Sequence, residues 1–340
     1  MKAMILAAGE GTRLQPLTYE FPKPMVPIVN RPVMEHILVW LSRHGIQEMV
    51  VNTHYKADQI EDYFGDGAKL GVSIQYSREK ILQGTAGGVR VAMNQFKETF
   101  LVIGADDLSD VNLEAIVEFH KKRNALATIG LKVVEETRQY GVVVTDSDGR
   151  ILRFQEKPKP EEALSHLANT GIYIFEPEIF KFIPENEKFD FGRQVFPLLL
   201  EKNQDFFGCP AEGYWCDVGS LAEYKESHWA ILENRCKAKM EGKLNAPGVW
   251  VEESVLIHPT AKIEAPCVLG KGTKIGEEVI LRGHVVTGKN TIIEKGAHLD
   301  HVITWEGSRI GEGALLDDCV VSQSVVVPSG SHLKETVITA

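Results

Sequence analysis

Residues Met1–Pro24 read MKAMILAAGEGTRLQPLTYEFPKP, and the rest of the chain is organised around them. Ala3 to Ala8 is a short apolar run of the length of a buried strand. It breaks into Gly9-Glu10-Gly11-Thr12-Arg13, where two glycines permit a tight turn and close backbone approach to a ligand. A strand that runs into such a loop leaves N–H groups pointing outward, and these suit an anion. Arg13 adds a planar, permanently charged donor array. Lys23 stands between Pro22 and Pro24, which stiffen the backbone that carries it. The stretch reads as a phosphate site at the end of a strand.

Two common phosphate loops are excluded. A dinucleotide-binding fingerprint needs a third glycine where Leu14 stands, and no G-x-x-x-x-G-K-[ST] run is present. At 340 residues, with 44% hydrophobic and 25% charged residues, the chain is expected to form two soluble domains. A formal net charge of −10 argues against a nucleic-acid partner, since no basic excess is available to neutralise a phosphate backbone. Five cysteines without a C-x-x-C predict neither a disulfide framework nor a zinc ribbon. No signal peptide or membrane-spanning run is legible, so a cytoplasmic protein without a membrane partner is expected.

Beyond the loop, the spacing predicts a helix over 32–44 that Pro32 opens and Gly45 closes. Strands are expected near 49–52, 72–76, 99–103 and 126–131, with helices over 57–64 and 113–122 between them. This alternation predicts an α/β fold, a Rossmann-like, mostly parallel sheet sandwiched by helices, with ligands at the carboxyl ends of its strands. Gly141–Val144 and Ile151–Glu156 read as a hairpin around the Asp146-Ser147-Asp148-Gly149 turn. The strand over 99–103 ends in Gly104-Ala105-Asp106-Asp107. Carboxylates there, beside a phosphate loop, are placed to hold Mg²⁺. A surface turn rich in Asp is the plainer alternative.

From Ile257 a six-residue period appears, with Ile263, Leu269, Ile275, Leu281, Ile293 and Leu299 in one column and Thr287 as its exception. Small or β-branched residues follow four positions later, and the register slips after Leu299 to resume at Ile310 and Leu316. This is the hexapeptide pattern of a parallel β-helix. The expected organisation is a catalytic domain over 1–233, a linker over 234–248 and a β-helix over 249–340.

The run L-A-A-G-x-G-T-R-L-x-P-L-T over 6–18, with Lys23-Pro24 after it, resembles the signature of the sugar-1-phosphate nucleotidylyltransferases. Later motifs occur in the family's order: Gly84-Thr85-Ala86-Gly87, Asp106, Glu156-Lys157-Pro158, Asn169-Thr170-Gly171 and Trp215-Cys216-Asp217-Val218-Gly219-Ser220. G-T-A-G and the β-helix, left-handed in the family, resemble the mannose-1-phosphate guanylyltransferases most. That likeness favours GTP and mannose 1-phosphate over UTP or dTTP with glucose 1-phosphate. Departures are Leu82-Gln83, where Pro-Leu is usual, and Ala105 in place of a glycine.

The resemblance implies roles for individual residues. Leu6, Ala7, Ala8, Gly9, Gly11 and Thr12 would bind the nucleotide, as would Gln83, Gly84, Thr85 and Ala86 against the base. Gly141, Glu156, Lys157, Asn169 and Gly171 would bind the sugar phosphate. Arg13 and Lys23 would act on the triphosphate, and Asp106 and Asp217 would hold Mg²⁺. Ser220 or Asp217 as a helix N-cap is a physical alternative for the last motif. Self-association through the β-helix is expected. An acyltransferase using His284, His298 or His301 and a non-catalytic regulatory homologue are the competing readings.

Overall fold

The computed structural model describes residues 1–339, which fall into two compact units. One comprises Met1–Glu10, Pro22–Pro24 and Val33–Asp217, and the other Gly11–Phe21, Met25–Pro32 and the chain from Val218 onward.

The first unit is built on a nine-stranded sheet. Its parallel centre is β1 (Ala3–Leu6), β2 (Glu48–Thr53), β3 (Ser73–Arg78) and β4 (Phe100–Gly104), in the order β4-β1-β2-β3. A short β5 (Asp107–Ser109) follows β4, and β6 (Ala127–Val133), β7 (Gly141–Thr145), β8 (Ile151–Glu156) and β9 (Leu167–Phe175) come next. β9 runs antiparallel to β4, β6 and β7, so it joins the parallel centre to the β7–β8 hairpin. β10 (Phe206–Pro210) extends β6 in parallel. The expected Rossmann-like sheet is present, and its antiparallel flank adds a second wall.

The helices follow from local pattern. α1 spans Val33–Arg43 and α2 Ala57–Phe64, which buries Ala57, Ile60 and Phe64 on one face. α3 (Gly84–Val91) opens at the first glycine of G-T-A-G. α4 (Leu113–Lys122) is capped by Asn112, whose side chain accepts from the Ala115 N–H, and buries Leu113, Ile116 and His120. α5 (Phe196–Glu201) supplies Phe196 to an aromatic core with Phe175, Phe191 and Phe206; Phe175 and Phe191 stack at 5.0 Å.

In the second unit, α6 (Leu221–Leu232) precedes a parallel β-helix of three sheets, the arrangement expected of the left-handed hexapeptide fold. Leu269, Ile275, Leu281, Ile293 and Leu299 are buried as the period predicts. Thr287 is buried with them because Thr273, Thr291, Thr304 and Ser308 form a polar ladder beside it; its hydroxyl pairs with that of Thr273 at 3.0 Å. The register slip is a change of coil length. Ile257, Ile275 and Ile293 pair at steps of 18 residues, whereas Ile293, Ile310 and Val327 pair at steps of 17. The 234–248 stretch, expected to be a linker, contains β12 (Lys243–Ala246). β12 pairs antiparallel with β13 (Val249–Val251), the first β-helix strand. All five cysteines are buried and unbridged. No helix among the described residues is long and apolar enough to cross a membrane.

Candidate active site

Register places the site. Leu6, the last residue of β1, is level with Gly104 on one side and Asn52 on the other. The chain after each therefore emerges at one carboxyl edge, where ligands of parallel sheets sit. Asn52 is buried, and its carboxamide oxygen accepts from the Ala7 N–H at 2.8 Å. Its amide donates to buried Glu79 at 2.5 Å, and the other oxygen of Glu79 accepts from the Gln83 N–H at 2.9 Å. A Cβ on Gly88 would lie 2.6 Å from Glu79 and 2.7 Å from Asn52, so that glycine is required by this string. Asn52 and Glu79 escape a reading of the sequence because only the pairing of β1, β2 and β3 brings them between two motifs.

The acids converge by a second register. β5 pairs antiparallel with β11 (Trp215–Asp217), which sets Asp217 across from Asp107 and beside Asp106. One oxygen from each of Asp106, Asp107 and Asp217 lies within 4.8 Å of the others. The Lys23 ammonium donates to Asp106, and to Asp217 at 3.1 Å. Burial works against that ammonium, but the two carboxylates outweigh it and hold Lys23 above its ordinary range. Burial pushes the Asp106 carboxyl up against the pull of Lys23. Asp107 rises well above the usual carboxylate range through burial and its acidic neighbours. Asp107, to which the resemblance gives no role, is thus part of the cluster. Its carboxylate accepts from the Gly104 N–H at 3.0 Å and lies 2.7 Å from where a Gly171 Cβ would be.

Gly171 takes φ +78 inside β9, at a break in register between Asn169 and Tyr173. Asn169-Thr170-Gly171 therefore lies within the strand. Asn169 accepts from the Gly171 N–H at 2.9 Å and donates to the Tyr173 hydroxyl at 3.0 Å. Glu156 lies across the hairpin from Gly141, where a Cβ would come 3.2 Å from its carboxylate. A Cβ on Gly192, which no motif marked, would lie 2.4 Å from the same group. Burial against these strands raises the Glu156 carboxyl, although Lys157 and Arg193 pull the other way. Lys157 adopts φ +49, uncommon for a side chain larger than glycine and a feature that concentrates at functional sites.

Gly84-Thr85-Ala86-Gly87 opens α3, but its close contact is with the chain itself. The Ala86 and Gly87 N–H groups donate to the Phe189 carbonyl, and the Thr85 N–H to Asp190 at 3.1 Å. A Gly84 Cβ would lie 2.6 Å from the Phe189 carbonyl. The motif is thus clamped by residues 187–190.

Gly11, Thr12 and Arg13 belong to the second unit. Gly11 takes φ +67, and its carbonyl accepts from the Thr18 hydroxyl at 2.8 Å. The Arg13 guanidinium lies against Gly219, where a Cβ would come within 2.7 Å. Ser220 is the N-cap of α6, with its hydroxyl accepting from the Glu223 N–H, which leaves Asp217 free of that role. In the β-helix, His284 is bonded to Glu233 at 2.7 Å and His301 to Asp300 at 2.7 Å.

Comparison with known proteins gives the class to which this chain belongs. Residues 2–234 match the nucleotidyl transferase family, and the chain belongs to it. It is 40% identical over 317 residues to a UTP–glucose-1-phosphate uridylyltransferase of Synechocystis sp., spanning 88% of this chain and 81% of that one. It is 32% identical to a mannose-1-phosphate guanylyltransferase of Mycobacterium tuberculosis, spanning 84% and 79%. A solved UDP-glucose pyrophosphorylase complexed with UDP-glucose superposes with a TM-score of 0.61 at 26% identity, covering 68% of this chain and 98% of that one.

Proposed function

We propose that the chain joins an NTP to a sugar 1-phosphate and releases pyrophosphate. The observation that carries this reading is the Lys23 ammonium bound between Asp106 and Asp217 at the carboxyl edge of β1 and β4. A phosphate oxygen of the sugar attacks the α-phosphorus in line, and the bond from that phosphorus to the bridging oxygen of the β-phosphate breaks. The nucleophile is already an anion, so no general base is required. The barrier lies in bringing anions together, and positioning and fixed charge do most of the catalysis.

Lys23 neutralises charge at the α-phosphate, and Arg13 with the Gly9–Thr12 backbone holds the departing pyrophosphate. Lys157 holds the sugar phosphate, and Glu156 accepts from sugar hydroxyls. Asp106, Asp107 and Asp217 fit a divalent cation: they are hard oxygen donors, and an ammonium already stands in for positive charge among them. Bound there, Mg²⁺ would supply Lewis-acid neutralisation of the phosphates. Mn²⁺ titration followed by electron paramagnetic resonance tests the site. Binding should be lost in Asp217→Asn, and an unchanged affinity removes Asp217 from it.

For the substrate pair, the likeness to the uridylyltransferase, at 40% identity across 88% of the chain, favours UTP with glucose 1-phosphate. GTP with mannose 1-phosphate is the second reading, supported by G-T-A-G and by the guanylyltransferase relatives. Pyrophosphate release with each pair decides between them. Self-association through the β-helix is also proposed, because Leu256 and Val326 are 61% and 63% exposed on one of its sheets; light scattering tests it.

A further inference from the structure

We infer that Trp305, a residue of the β-helix, is a positioning residue for the reaction. It fixes the two chain segments between which Lys23 is strung. These segments, Gly11–Phe21 with Arg13 and Met25–Pro32, belong to the same compact unit as the β-helix, and Pro22–Pro24 bridges them along the chain. The inference rests on the proposed nucleotidyl transfer.

Trp305 is 3% exposed, touches the first segment and reaches the second through Tyr224. Its ring meets Phe21 edge-on, with centroids 5.5 Å apart at 74°. Its indole N–H donates to the Tyr224 hydroxyl at 2.8 Å, and that hydroxyl donates to the Pro27 carbonyl at 2.9 Å. Phe21 is two residues before Lys23 and Pro27 four after it. Tyr224 is fully buried on α6, one turn before His228. His228 takes the Val29 N–H on Nδ1 at 3.3 Å, so its Nε2–H donates to the same Pro27 carbonyl at 3.1 Å.

A second anchor holds the same segment further along. The Asn30 amide donates to the Thr287 carbonyl and to Glu252, both at 3.0 Å. A Cβ on Gly270 would lie 2.8 Å from that amide nitrogen. Buried aromatic contacts and buried hydrogen bonds leave one geometry rather than a family of them. A lysine that must neutralise charge only in the transition state needs that fixity, because small misplacements cost rate rather than binding.

The test compares wild type, Trp305→Phe, Tyr224→Phe and the double variant by pyrophosphate release, with circular dichroism as the check on folding. Trp305→Phe keeps a ring against Phe21 and loses the donor. Its kcat should fall about tenfold with both KM values within about twofold, as loss of transition-state positioning does. Tyr224→Phe should give a similar loss, and the double variant no more than either alone, since both break one string. A kcat within about twofold of wild type in both single variants, or effects that multiply, overturns the inference. If wild type turns over no pair, the catalytic reading fails separately, and fluorescence then decides. The difference in emission between wild type and Trp305→Phe must change when UTP or GTP is added, and a constant difference overturns the inference.

Discussion

Lys23 is the residue on which the proposed chemistry turns, and its two carboxylate partners set the first prediction. Asp106→Asn removes a group that burial makes costly to ionise and that Lys23 helps to keep charged. Its kcat should fall about a hundredfold or more; a near-normal kcat in a pyrophosphate assay would place Asp106 outside the reaction. Glu156 gives a pH dependence with a definite sign. Its carboxyl is raised by burial, so it protonates at a higher pH than an ordinary carboxylate and then loses its acceptor. The KM for the sugar phosphate should therefore rise as pH falls from neutral, while the KM for NTP stays level. In Glu156→Gln the sugar KM should be high and flat with pH; a retained slope assigns the titration to another group. Lys23 and Asp106 stand out in the sequence as residue types that suit phosphate and metal, whereas Asp217 and Glu156 are marked only by the family resemblance; the structure brings Lys23, Asp106 and Asp217 together. Asp107 and Gly192 were not legible. Asp107 joins the acids through the pairing of β5 with β11, and Gly192 meets Glu156 from a segment distant in sequence.

At the level of elements, sequence pattern works best where one face is apolar and the ends are marked. α2 and α4 have the limits that the sequence predicts, because Ile60 and Phe64, and Ile116 and His120, repeat at helical spacing. β9 shows its full length only through its pairing with β6 and β7, where Asn169 and Gly171 break register inside the strand. β12 was missed because its four residues are exposed and carry no alternation. α6 owes its start to Ser220, and Ser220→Ala should cost about 1 kcal/mol of folding stability, seen as a lower denaturation midpoint. An unchanged midpoint removes the cap from the account. α4 carries a pH effect. His120 is buried between Thr128 and Glu176, and burial lowers its pKa from the usual 6.5. The unfolded chain takes up the proton first, so stability is intact above that pH and is lost as pH falls below it. Urea midpoints at mildly acid and neutral pH should show the loss, and His120→Gln should flatten it. An equal slope in both proteins rules His120 out as its source.

At the level of the whole molecule, the strict hexapeptide period made the β-helix plain in the sequence, since each inward residue must fit the coil above and below. What the period could not show was which side chains the β-helix lends to the segments on either side of Lys23, because Trp305 and Glu252 belong to no repeat position that marks them. The grouping of Gly11–Phe21 and Met25–Pro32 with the β-helix was hidden for the same reason: it is a matter of long-range contact, not of local pattern. Nucleotidyl transfer is proposed at the edge where β1 meets β4. The measurement that tests it most directly is Mg²⁺-dependent pyrophosphate release from UTP, GTP, dTTP, ATP and CTP, each with glucose 1-phosphate and with mannose 1-phosphate. Turnover with UTP and glucose 1-phosphate is expected, lost in Lys23→Ala and in Asp217→Asn. Release from folded wild-type protein that survives both substitutions, or none from any pair, contradicts the claim.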